Sequence, residues 1–369
     1  MLVSTTLYPS AINPVAGIFV KEMAKCISIN HNVIVLHCAE IPKNSGLKVG
    51  IYDESMEDLR VIHVFVKKRT VPNLISVTMG LLKGLNYLKK CNVRIDVIHA
   101  HFFSSVTPFL ILMRSKPVVL SEHWSGYALK LLPKYAVPVI RIVIAHCKVI
   151  CPVSKFLLNS IQSYGIKGKF FVIHNPVDTK YFFPSAKIPS NKIRVLVVGN
   201  QVPVKGIPVL LNAVYAVSKF RSDFQIDIVG DGPNLVEYIK LMKDLKLEKL
   251  ISFHGSKSKE EVAEFVRSCD FLMISSLVET QSVVAAEALC CGKPVLATAV
   301  GGIPEFIDSS TGILVKPNNV IDLQNGILQM LDSFSHYDSK KIAQKGRELF
   351  SYDSINLQIN EVYKKVLES

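Results

Sequence analysis

Two glutamates in the segment 275–305 are the residues best suited to ligand chemistry. Glu279 follows a predicted buried strand, and Glu287 lies eight positions later in a predicted helix, among small and apolar neighbours. A carboxylate in such surroundings is costly unless hydrogen-bond donors reach it, and the hydroxyls of a ribose are suitable donors. Ser282 and Val283 stand at the start of the same helix, where free N–H groups and the helix dipole favour a diphosphate. A capped helix with a solvated glutamate is the structural alternative.

A single lysine in the segment 198–206, VGNQVPVKG, is a second candidate. The segment is predicted to be the end of a strand followed by a loop, so that Lys205 could reach a phosphate at the carboxyl end of a parallel sheet. Taken alone, a lysine beside a glycine is typical of a solvated surface. The turn at residues 230–233, GDGP, is likewise typical of any connection between a strand and a helix.

Apolar β-branched runs alternate with helical patterns along the chain, which predicts an α/β architecture with parallel sheets. After an amino-terminal strand, the first half has candidate strands at residues 32–37, 59–66, 97–101, 117–121, 148–153 and 170–174, with helices at 18–29 and 72–90. A polar linker marked by Pro176, Pro184 and Pro189 follows. The second half has strands at 194–198, 225–229, 250–254, 271–274 and 294–297, and helices at 206–220, 235–245, 259–269, 282–290 and 354–367. Two such domains, with their sheets facing each other across a cleft, could hold two substrates.

The positive charge of the chain lies entirely in its first half. Residues 1–184 contain 22 lysines and arginines and 9 acidic residues, a balance of +13, whereas residues 185–369 contain 21 of each. Such a one-sided field favours an anionic partner, and a basic surface that maintains solubility is the alternative. Nucleic acid is disfavoured because the basic clusters are not interleaved with aromatic residues and no reader motif is present. An anionic membrane surface fits better.

Basic residues of the first half supply the candidate membrane-facing positions, namely Lys67, Lys68, Arg69, Lys83, Lys89, Lys90 and the stretch 130–148. Within that stretch, four apolar residues are predicted to enter the interface while the lysines meet anionic headgroups: Leu131, Leu132, Val137 and Ile140. An ordinary helix packed on the sheet is the alternative.

Three features predict a cytoplasmic protein that is soluble or peripheral to a membrane. The first residues lack the basic start and long apolar run of a secretory signal. No window contains about 18 uninterrupted apolar residues, so no membrane span is expected. The eight cysteines have no framework spacing and are predicted to be buried, reduced thiols.

Six motifs occur in a fixed order: Asn13…Gly17, Asn175-Pro176-Val177-Asp178, Gly199…Lys205-Gly206, Gly230-Asp231-Gly232-Pro233, Glu279…Glu287 and Gly301-Gly302-Ile303-Pro304-Glu305. This set resembles the retaining glycosyltransferases of family 4, which have the GT-B fold. The resemblance covers nearly the whole chain and is most specific in the second half. It implies two Rossmann-like domains, one at residues 1–184 that binds the acceptor and one at 185–350 that binds the nucleotide sugar. It also implies a helix at 351–369 that packs back on the first domain.

The resemblance implies roles for individual residues of the second half. Glu287 resembles the glutamate that holds the donor ribose, and Glu279 resembles the one that contacts the transferred sugar. Backbone amides near Ser282 and Val283 would meet the diphosphate, and Lys205 would meet its negative charge.

Residues of the first half also match the family. Gly17 would approach the donor phosphate or sugar closely, where a side chain would obstruct. His123, in the segment LSEHWSGY, resembles a histidine that lies near the donor sugar, and a neutral core histidine is the alternative. His99 and His101 are predicted to be structural.

Two departures from the family pattern fall in the predicted donor site. Asn200 stands where the family often has arginine, which removes a positive charge near the phosphates. Gln281 and Ser282 stand where the family often has Phe-Gly. We include Asn200 and Gln281 among the donor-binding residues, and Lys205 would then carry more of the leaving-group stabilisation alone.

The predicted enzyme is a retaining hexosyltransferase of the nucleotide-sugar type. It would move a sugar from a UDP- or GDP-sugar to a saccharide or lipid-linked saccharide, in the synthesis of cell-surface polysaccharide or glycolipid. No Asp-x-Asp cluster is present, so no metal ion or other cofactor is expected, and helix amides with Lys205 would stabilise the leaving diphosphate. No carboxylate is evident as a nucleophile, which favours same-face attack by the acceptor. The alternatives are a catalytically impaired scaffold that binds nucleotide sugars, another GT-B reaction such as nucleotide-sugar epimerisation, and a nucleic-acid binder.

Overall fold

The structure is a computed structural model that describes residues 1–42, 46–68, 73–186 and 190–368. Some residues used in the predictions lie outside the described residues: Arg69, Pro72 and Pro189. The chain divides into two compact units. The amino-terminal unit comprises Met1–Pro176 and the residues from Ile355 onward, and the carboxyl-terminal unit comprises Val177–Ser354.

The amino-terminal unit is a sheet with helices between its strands. Its strands are β1 (Leu2–Thr5), β2 (Ile34–Ile41), β3 (Gly50–Met56), β4 (Leu59–Lys67), β5 (Ile98–His101), β6 (Val118–Glu122) and β7 (Val149–Pro152). Its helices are α1 (Ile18–Ser28), α2 (Asn73–Lys90), α3 (Phe109–Leu112), α4 (Val137–Ala145) and α5 (Lys155–Gln162). Within the described residues the strand order is β3-β4-β2-β1-β5-β6-β7. Neighbouring strands are parallel, apart from the antiparallel hairpin of β3 and β4 at one edge.

The carboxyl-terminal unit has a wholly parallel sheet. Its strands are β8 (Ile193–Val198), β9 (Phe224–Val229), β10 (Ile251–Phe253), β11 (Phe271–Ile274), β12 (Val295–Thr298) and β13 (Gly312–Val315). The helices that follow β8 are α6 (Ile207–Ser218), α7 (Leu235–Asp244), α8 (Lys259–Ser268), α9 (Val283–Cys290), α10 (Val320–Ser333), α11 (Ser339–Phe350) and α12 (Tyr352–Leu367). The described strands follow the order β10-β9-β8-β11-β12-β13. Counted within this unit, the order is 3-2-1-4-5-6, that of a doubly wound Rossmann sheet.

Apolar residues on both faces of the strands explain why the sheets lie in the interior. In β8, Val195 and Val197 belong to the core on one side of the sheet, and Leu196 belongs to the core on the other side. A parallel strand that is covered by helices on both faces is apolar at successive positions, and its sequence does not alternate between apolar and polar residues. The continuous apolar runs of the sequence therefore become central strands.

The last helix, α12, packs in the amino-terminal unit from Ile355 onward. Ile355 and Ile359 are fully buried, and the hydroxyl of Tyr363 lies 2.6 Å from Nδ1 of His99. The side chain of Asn356 donates a hydrogen bond to a backbone carbonyl of α1. The four-residue spacing of the buried positions accounts for the amphipathic pattern of the segment.

Strands β3 and β13 were not predicted from the sequence, and the strand predicted at 170–174 does not form. Only an isolated bridge joins Phe170 to Ile150 on β7. The N–H of Phe171 bonds to the carbonyl oxygen of Ile150, and the next bond of a parallel ladder would come from residue 152. That residue is Pro152, which has no N–H to donate, so no second bridge forms, although the N–H of Ile173 still donates to the carbonyl oxygen of Pro152 over 3.1 Å.

The boundary between the units falls after Pro176 rather than after residue 184. The N–H of Val177 donates a hydrogen bond of 2.7 Å to the carbonyl oxygen of Phe350, and Phe182 is buried in the core of the carboxyl-terminal unit. The proline-marked segment is therefore anchored in that unit, at least as far as Phe182.

Part of the predicted membrane-facing surface is wrong. Leu132 and Ile140 are buried, and Val137 is half-buried. The sequence of α4, VPVIRIVIA, is apolar around almost its whole circumference, so its pattern does not reveal which side faces the core. Leu131 is exposed, as predicted.

The cysteines are all free thiols, and seven of the eight are buried. Cys91 is exposed, contrary to the prediction, because it follows the end of α2 at the surface. Among the described residues, no helix combines the length and the apolar character needed to cross a membrane.

Candidate functional site

The carboxyl-terminal sheet has a switch point between β8 and β11, from which the chain continues toward opposite edges of the sheet. In an open α/β sheet, such a point forms a crevice outside the carboxyl ends of the strands. The polar side chains that line it belong to Lys205, Ser275, Ser276 and Glu279, and Gly199 and Val284 are among its other lining residues. The fold thus brings together the predicted site residues Lys205 and Glu279, which are 74 positions apart.

Lys205 and Glu279 form an ion pair in this crevice. Nζ of Lys205 donates to Oε1 of Glu279 over 2.6 Å, and the hydroxyl of Ser276 donates to the same oxygen over 2.8 Å. Both side chains are partly buried, with 27% of Lys205 and 12% of Glu279 exposed. The charge of Lys205 is therefore balanced by a carboxylate of the same site, which the local sequence around the lysine does not reveal. A phosphate that approaches Lys205 has to share it with Glu279.

Two glycines hold the loops of the crevice together. Gly206, with φ of +65°, follows the lysine, and a Cβ there would lie 2.2 Å from the carbonyl oxygen of Ser275. The hydroxyl of Ser275 in turn donates to the carbonyl oxygen of Lys205 over 2.8 Å. Gly301, with φ of +60°, lies so close to Glu279 that a Cβ would be 1.6 Å from its carbonyl oxygen. The motifs that contain these glycines therefore position the ion pair.

Ser282, immediately before α9, has a strained backbone. Its φ is 73° and its ψ is 90°, and its side chain makes no capping hydrogen bond to the helix. A residue with a Cβ in such a conformation costs about 1–3 kcal/mol. The preceding Gln281 is fully buried. Because α9 begins at Val283 and Val284 lines the crevice, the first N–H groups of the helix lie beside the ion pair.

The two other predicted donor-binding residues of this unit are Glu287 and Asn200. Glu287 is half-buried on α9, and Asn200 is exposed directly after β8. Backbone hydrogen bonds connect the turns after β8, β9 and β10. The N–H of Gln201 donates to the carbonyl oxygen of Asp231 over 2.9 Å, and the N–H of Gly230 donates to that of Gly255 over 2.8 Å. Asn200 therefore lies on a fixed turn, and its side chain is open to solvent.

The amino-terminal sheet has its own switch point, between β1 and β5. Gly17 lies on the connection after β1, where it caps α1 with φ of +65°. A Cβ at Gly17 would lie 2.3 Å from the carbonyl oxygen of Leu7. The positive φ and the nearby loop backbone therefore explain why a glycine is needed at this position. The close approach of Gly17 to a donor stays a prediction.

A row of three buried histidines ends at the predicted site residue His123. The rings of His99 and His101 stack with centroids 4.7 Å apart, and those of His101 and His123 stack with centroids 5.1 Å apart. Nδ1 of His101 lies 2.9 Å from Nε2 of His123. Burial lowers the pKa of His99 and the pKa of His123 to about 3, and it lowers the pKa of His101 well below its usual value. All three rings are therefore neutral at pH 7.

Glu122, the neighbour of His123, was not among the residues predicted from the sequence. Its buried carboxylate accepts hydrogen bonds from the backbone N–H groups of Phe103, His123 and Trp124, over 3.1, 3.0 and 3.2 Å. It thereby ties together the segments after β5 and β6. Burial raises the pKa of Glu122 to about 7. The sequence feature that could have indicated Glu122 is an acidic residue at the end of the apolar run VVLSE, which is a buried strand.

A second buried histidine pair lies in the same unit. Nδ1 of His37, on β2, is 2.8 Å from Nδ1 of His63, on β4. Burial lowers the pKa of His37 to about 3, and burial also lowers the pKa of His63. In the parts of the chain that the structure describes, no group of three or more His, Cys, Asp or Glu side chains is arranged to hold a metal ion.

Sequence comparisons place both halves of the chain in one family. A profile for glycosyl transferases group 1 matches residues 178–348, and a profile for glycosyltransferase family 4 matches residues 16–181. An uncharacterised glycosyltransferase of Methanocaldococcus jannaschii is 30% identical over 288 residues, which cover 74% of this chain and 76% of the relative.

Solved structures share the fold over the length of the chain. Sucrose-phosphate synthase from Thermosynechococcus elongatus superimposes with a TM-score of 0.82 at 20% identity, over 100% of this chain and 99% of that one. Anabaena HepE, in complex with UDP and glucose, superimposes with a TM-score of 0.76 at 16% identity, over 98% of this chain and 99% of that one. The chain therefore belongs to the group 1 glycosyltransferases of family 4, with the GT-B fold of that family.

Proposed function

We propose that this enzyme transfers a hexose-type sugar, with retention of configuration, from a UDP- or GDP-sugar to a saccharide or lipid-linked saccharide. The product would serve the synthesis of cell-surface polysaccharide or glycolipid. The observation that carries the proposal is the ion pair of Lys205 and Glu279 in the switch-point crevice, beside the start of α9. The complex of the Anabaena neighbour with UDP and glucose supports a nucleotide-sugar donor.

In this mechanism the diphosphate leaves while fixed protein groups stabilise its charge. Lys205 supplies positive charge, and the backbone near Ser282 and Val283 supplies N–H donors. As negative charge develops on the departing phosphate, Lys205 is drawn toward it, and Glu279 becomes available to a hydroxyl of the transferred sugar. Glu287 accepts hydrogen bonds from the ribose.

The acceptor hydroxyl attacks on the face from which the diphosphate leaves, and the phosphate takes up its proton. Glu279 is the only carboxylate among the described residues that line the crevice, and it is engaged by Lys205 and Ser276. That engagement disfavours a covalent intermediate of the kind formed in retaining glycosidases. We propose no metal ion or other cofactor for this route. Asn200 and Gln281 complete the donor-binding set, and Gly17 and His123 keep the roles near the donor that the family resemblance implies.

A panel of UDP-, GDP-, ADP- and CMP-sugars, followed by thermal shift, tests the donor site. A donor at a hundredfold its Kd should stabilise the protein by about 2.7 kcal/mol. We expect one nucleotide class to raise the Tm of the wild type and not that of Glu287→Ala. Glu264→Ala, at an exposed position on α8, is the matched control and should respond as the wild type does. Equal shifts in Glu287→Ala and the wild type would remove Glu287 from the donor site.

We also propose that the amino-terminal unit meets an anionic membrane surface at the cytoplasmic face, where a lipid-linked acceptor would lie. This unit, residues 1–176 and 355–369, contains 23 lysines and arginines and 10 acidic residues, a balance of +13. Four exposed apolar side chains lie at helix-like spacing along the segment that contains α4: Leu131, Tyr135, Val139 and Ile142, with 60%, 85%, 49% and 68% of their surface exposed. Exposed basic residues flank them, namely Lys130, Lys134 and Arg141. Apolar side chains flanked by basic ones match the interface of a lipid bilayer.

Co-sedimentation with phosphatidylcholine vesicles, with and without phosphatidylglycerol, tests this surface. We expect binding only to the anionic vesicles, weakened by salt, and a loss of about tenfold in affinity for each apolar side chain removed in Tyr135→Ser/Ile142→Ser. Phe220→Ser/Ile321→Ser changes two equally exposed apolar residues of the carboxyl-terminal unit and should bind as the wild type does. Equal binding by both double variants would place the contact elsewhere, and no binding at low salt would exclude it.

A further inference from the structure

The side chain of Glu122, the last residue of β6, is fully buried and accepts hydrogen bonds from two separate turns. Its Oε2 accepts from the N–H of Phe103, in the turn after β5, over 3.1 Å. Its Oε1 accepts from the N–H groups of His123 and Trp124, in the turn after β6, over 3.0 and 3.2 Å. Because Glu122 is 0% exposed, the carboxylate takes the place of water as the acceptor for these N–H groups. The carboxylate therefore joins the two turns.

The turn after β5 has a strained backbone at Phe102. Its φ is 69° and its ψ is 141°, a region that residues with a Cβ rarely adopt. Such a conformation persists only where the surrounding structure enforces it, and it is characteristic of functional sites. The N–H of Phe102 donates to the carbonyl oxygen of Ser121 over 3.0 Å, and the next N–H, that of Phe103, donates to Glu122. The carboxylate of Glu122 thus holds the strained residue from its carboxyl side.

Two of the residues fixed in this way lie at the carboxyl ends of the strands, beside the switch point between β1 and β5. The rings of Phe102 and His123 pack with centroids 5.3 Å apart, and Phe19 of α1 packs against both, with centroids 6.1 and 4.6 Å away. Phe102 and His123 are each 8% exposed, whereas Glu122 has no exposed surface. Any contact with a substrate is therefore made by the two rings, and Glu122 acts through them.

We propose that Glu122 is a positioning residue whose carboxylate fixes Phe102 and His123 at the switch point of the amino-terminal sheet, by joining the turns that follow β5 and β6. Hydrogen bonds to an ionised acceptor are roughly twice as strong as neutral ones, so protonation of Glu122 weakens all three backbone bonds. Glu122→Gln removes the charge permanently and also replaces one acceptor oxygen with an N–H donor. The effect on turnover rests on the proposed function, whereas the hydrogen bonds do not.

The titratable groups that face Glu122 are the phenol of Tyr127, the thiol of Cys147 and the ring of His123. Burial raises the pKa of Tyr127 and the pKa of Cys147 well above their usual values, and it lowers the pKa of His123 to about 3. These three groups are therefore uncharged between pH 6 and pH 8. Burial raises the pKa of Glu122 to about 7, so Glu122 is the member of this set that changes its charge in that interval.

The fluorescence of the folded, full-length protein measures these hydrogen bonds without substrate. Trp124 is the only tryptophan of the chain, its N–H donates to Glu122, and its ring packs against Tyr127 with centroids 5.5 Å apart. We expect the emission of the wild type to change between pH 8 and pH 6 with a midpoint near pH 7, and that of Glu122→Gln to stay constant. Asp270→Asn changes a buried carboxylate of the carboxyl-terminal unit, which accepts the N–H of Arg194 over 2.8 Å, and should titrate as the wild type does. Constant emission in the wild type overturns the proposal whether or not the glutamine variant folds, and so does an equal change in Glu122→Gln.

Turnover supplies a second measurement. At pH 8, Glu122→Gln should lower kcat/KM by about tenfold. The kcat/KM of the wild type should fall by about fivefold from pH 8 to pH 6, whereas that of Glu122→Gln should be nearly constant. Equal losses in Glu122→Gln and Asp270→Asn would assign Glu122 a role in stability only and overturn its positioning role. If the wild type transfers no sugar, the proposed function fails, and the emission of Trp124 still decides whether Glu122 joins the two turns.

Discussion

Lys205→Ala is expected to lower kcat for sugar transfer by about 10²–10³-fold. Among the described residues that line the crevice, Lys205 is the only cation. Asn200 stands exposed where an arginine would add a second positive charge. In the proposed function, stabilisation of the leaving diphosphate therefore depends on Lys205 and the amides of α9. Because the charge on the leaving group is largest in the transition state, the loss should fall on kcat rather than on KM.

Glu279 needs its own control, because removal of the lysine leaves its carboxylate unpaired and only 12% exposed. The double variant Lys205→Ala/Glu279→Gln removes that charge and separates the loss of folding stability from the loss of turnover. Lys259→Ala breaks a comparable ion pair in the same unit, in which Nζ lies 2.9 Å from Asp178, and it should cost stability without lowering kcat. A Lys205→Ala enzyme with kcat within threefold of the wild type would contradict the proposed leaving-group role.

Acidification from pH 7 to pH 5 is expected to destabilise the amino-terminal unit by on the order of 4 kcal/mol. The pKa values of His37, His99 and His123 are lowered by burial from 6.5 to about 3. The unfolded chain therefore binds protons first as the pH falls, and stability is lost progressively between about pH 6.5 and pH 3, with about 2 kcal/mol lost per histidine by pH 5. Glu122 acts in the opposite direction, because burial raises its pKa from 4.5 to about 7. Between pH 7 and pH 5, protonation of Glu122 in the folded state raises the free energy of unfolding by about 2 kcal/mol.

The fluorescence of Trp124 can follow this effect, since it is the only tryptophan of the chain and lies in the amino-terminal unit. We expect urea unfolding followed by tryptophan emission to give a much lower free energy at pH 5 than at pH 7. His37→Gln should be less stable than the wild type at pH 7 but should lose about 2 kcal/mol less on acidification. His336→Gln, at an exposed position of the carboxyl-terminal unit, should keep the pH dependence of the wild type. Equal free energies at the two pH values would mean that the buried histidines are not held neutral.

Strands and helices whose own residues show a clear hydrophobic pattern were predictable from the sequence. The bounds of β11 match the prediction at residues 271–274, because a short apolar run between polar turns is typical of a buried parallel strand. The hairpin strand β3 was not predictable in this way. Its sequence, GIYDESM, is mostly polar and exposed, so pairing with β4 alone makes it a strand.

Contacts between distant residues account for what the sequence did not reveal in the candidate site. Lys205 and Glu279 were each singled out, but 74 positions separate them, and the switch point of the sheet brings them into contact. The role of Glu122 depends on N–H groups of two separate segments. The strain at Ser282 is equally invisible in a sequence, because it is a property of φ and ψ.

The amino-terminal unit is assembled from the two ends of the chain, and this has a consequence for its biosynthesis. Residues 1–176 leave the ribosome long before Tyr363 is made, so His99 at first lacks the Tyr363 hydroxyl as a partner. The apolar surface that later buries Ile355 is at first exposed to water. The carboxyl-terminal unit is one continuous stretch, Val177–Ser354, and all of its residues are synthesised before Ile355 and the rest of α12. We therefore expect the carboxyl-terminal unit to complete its fold first, the reverse of the usual order during synthesis, in which the amino-terminal domain folds first.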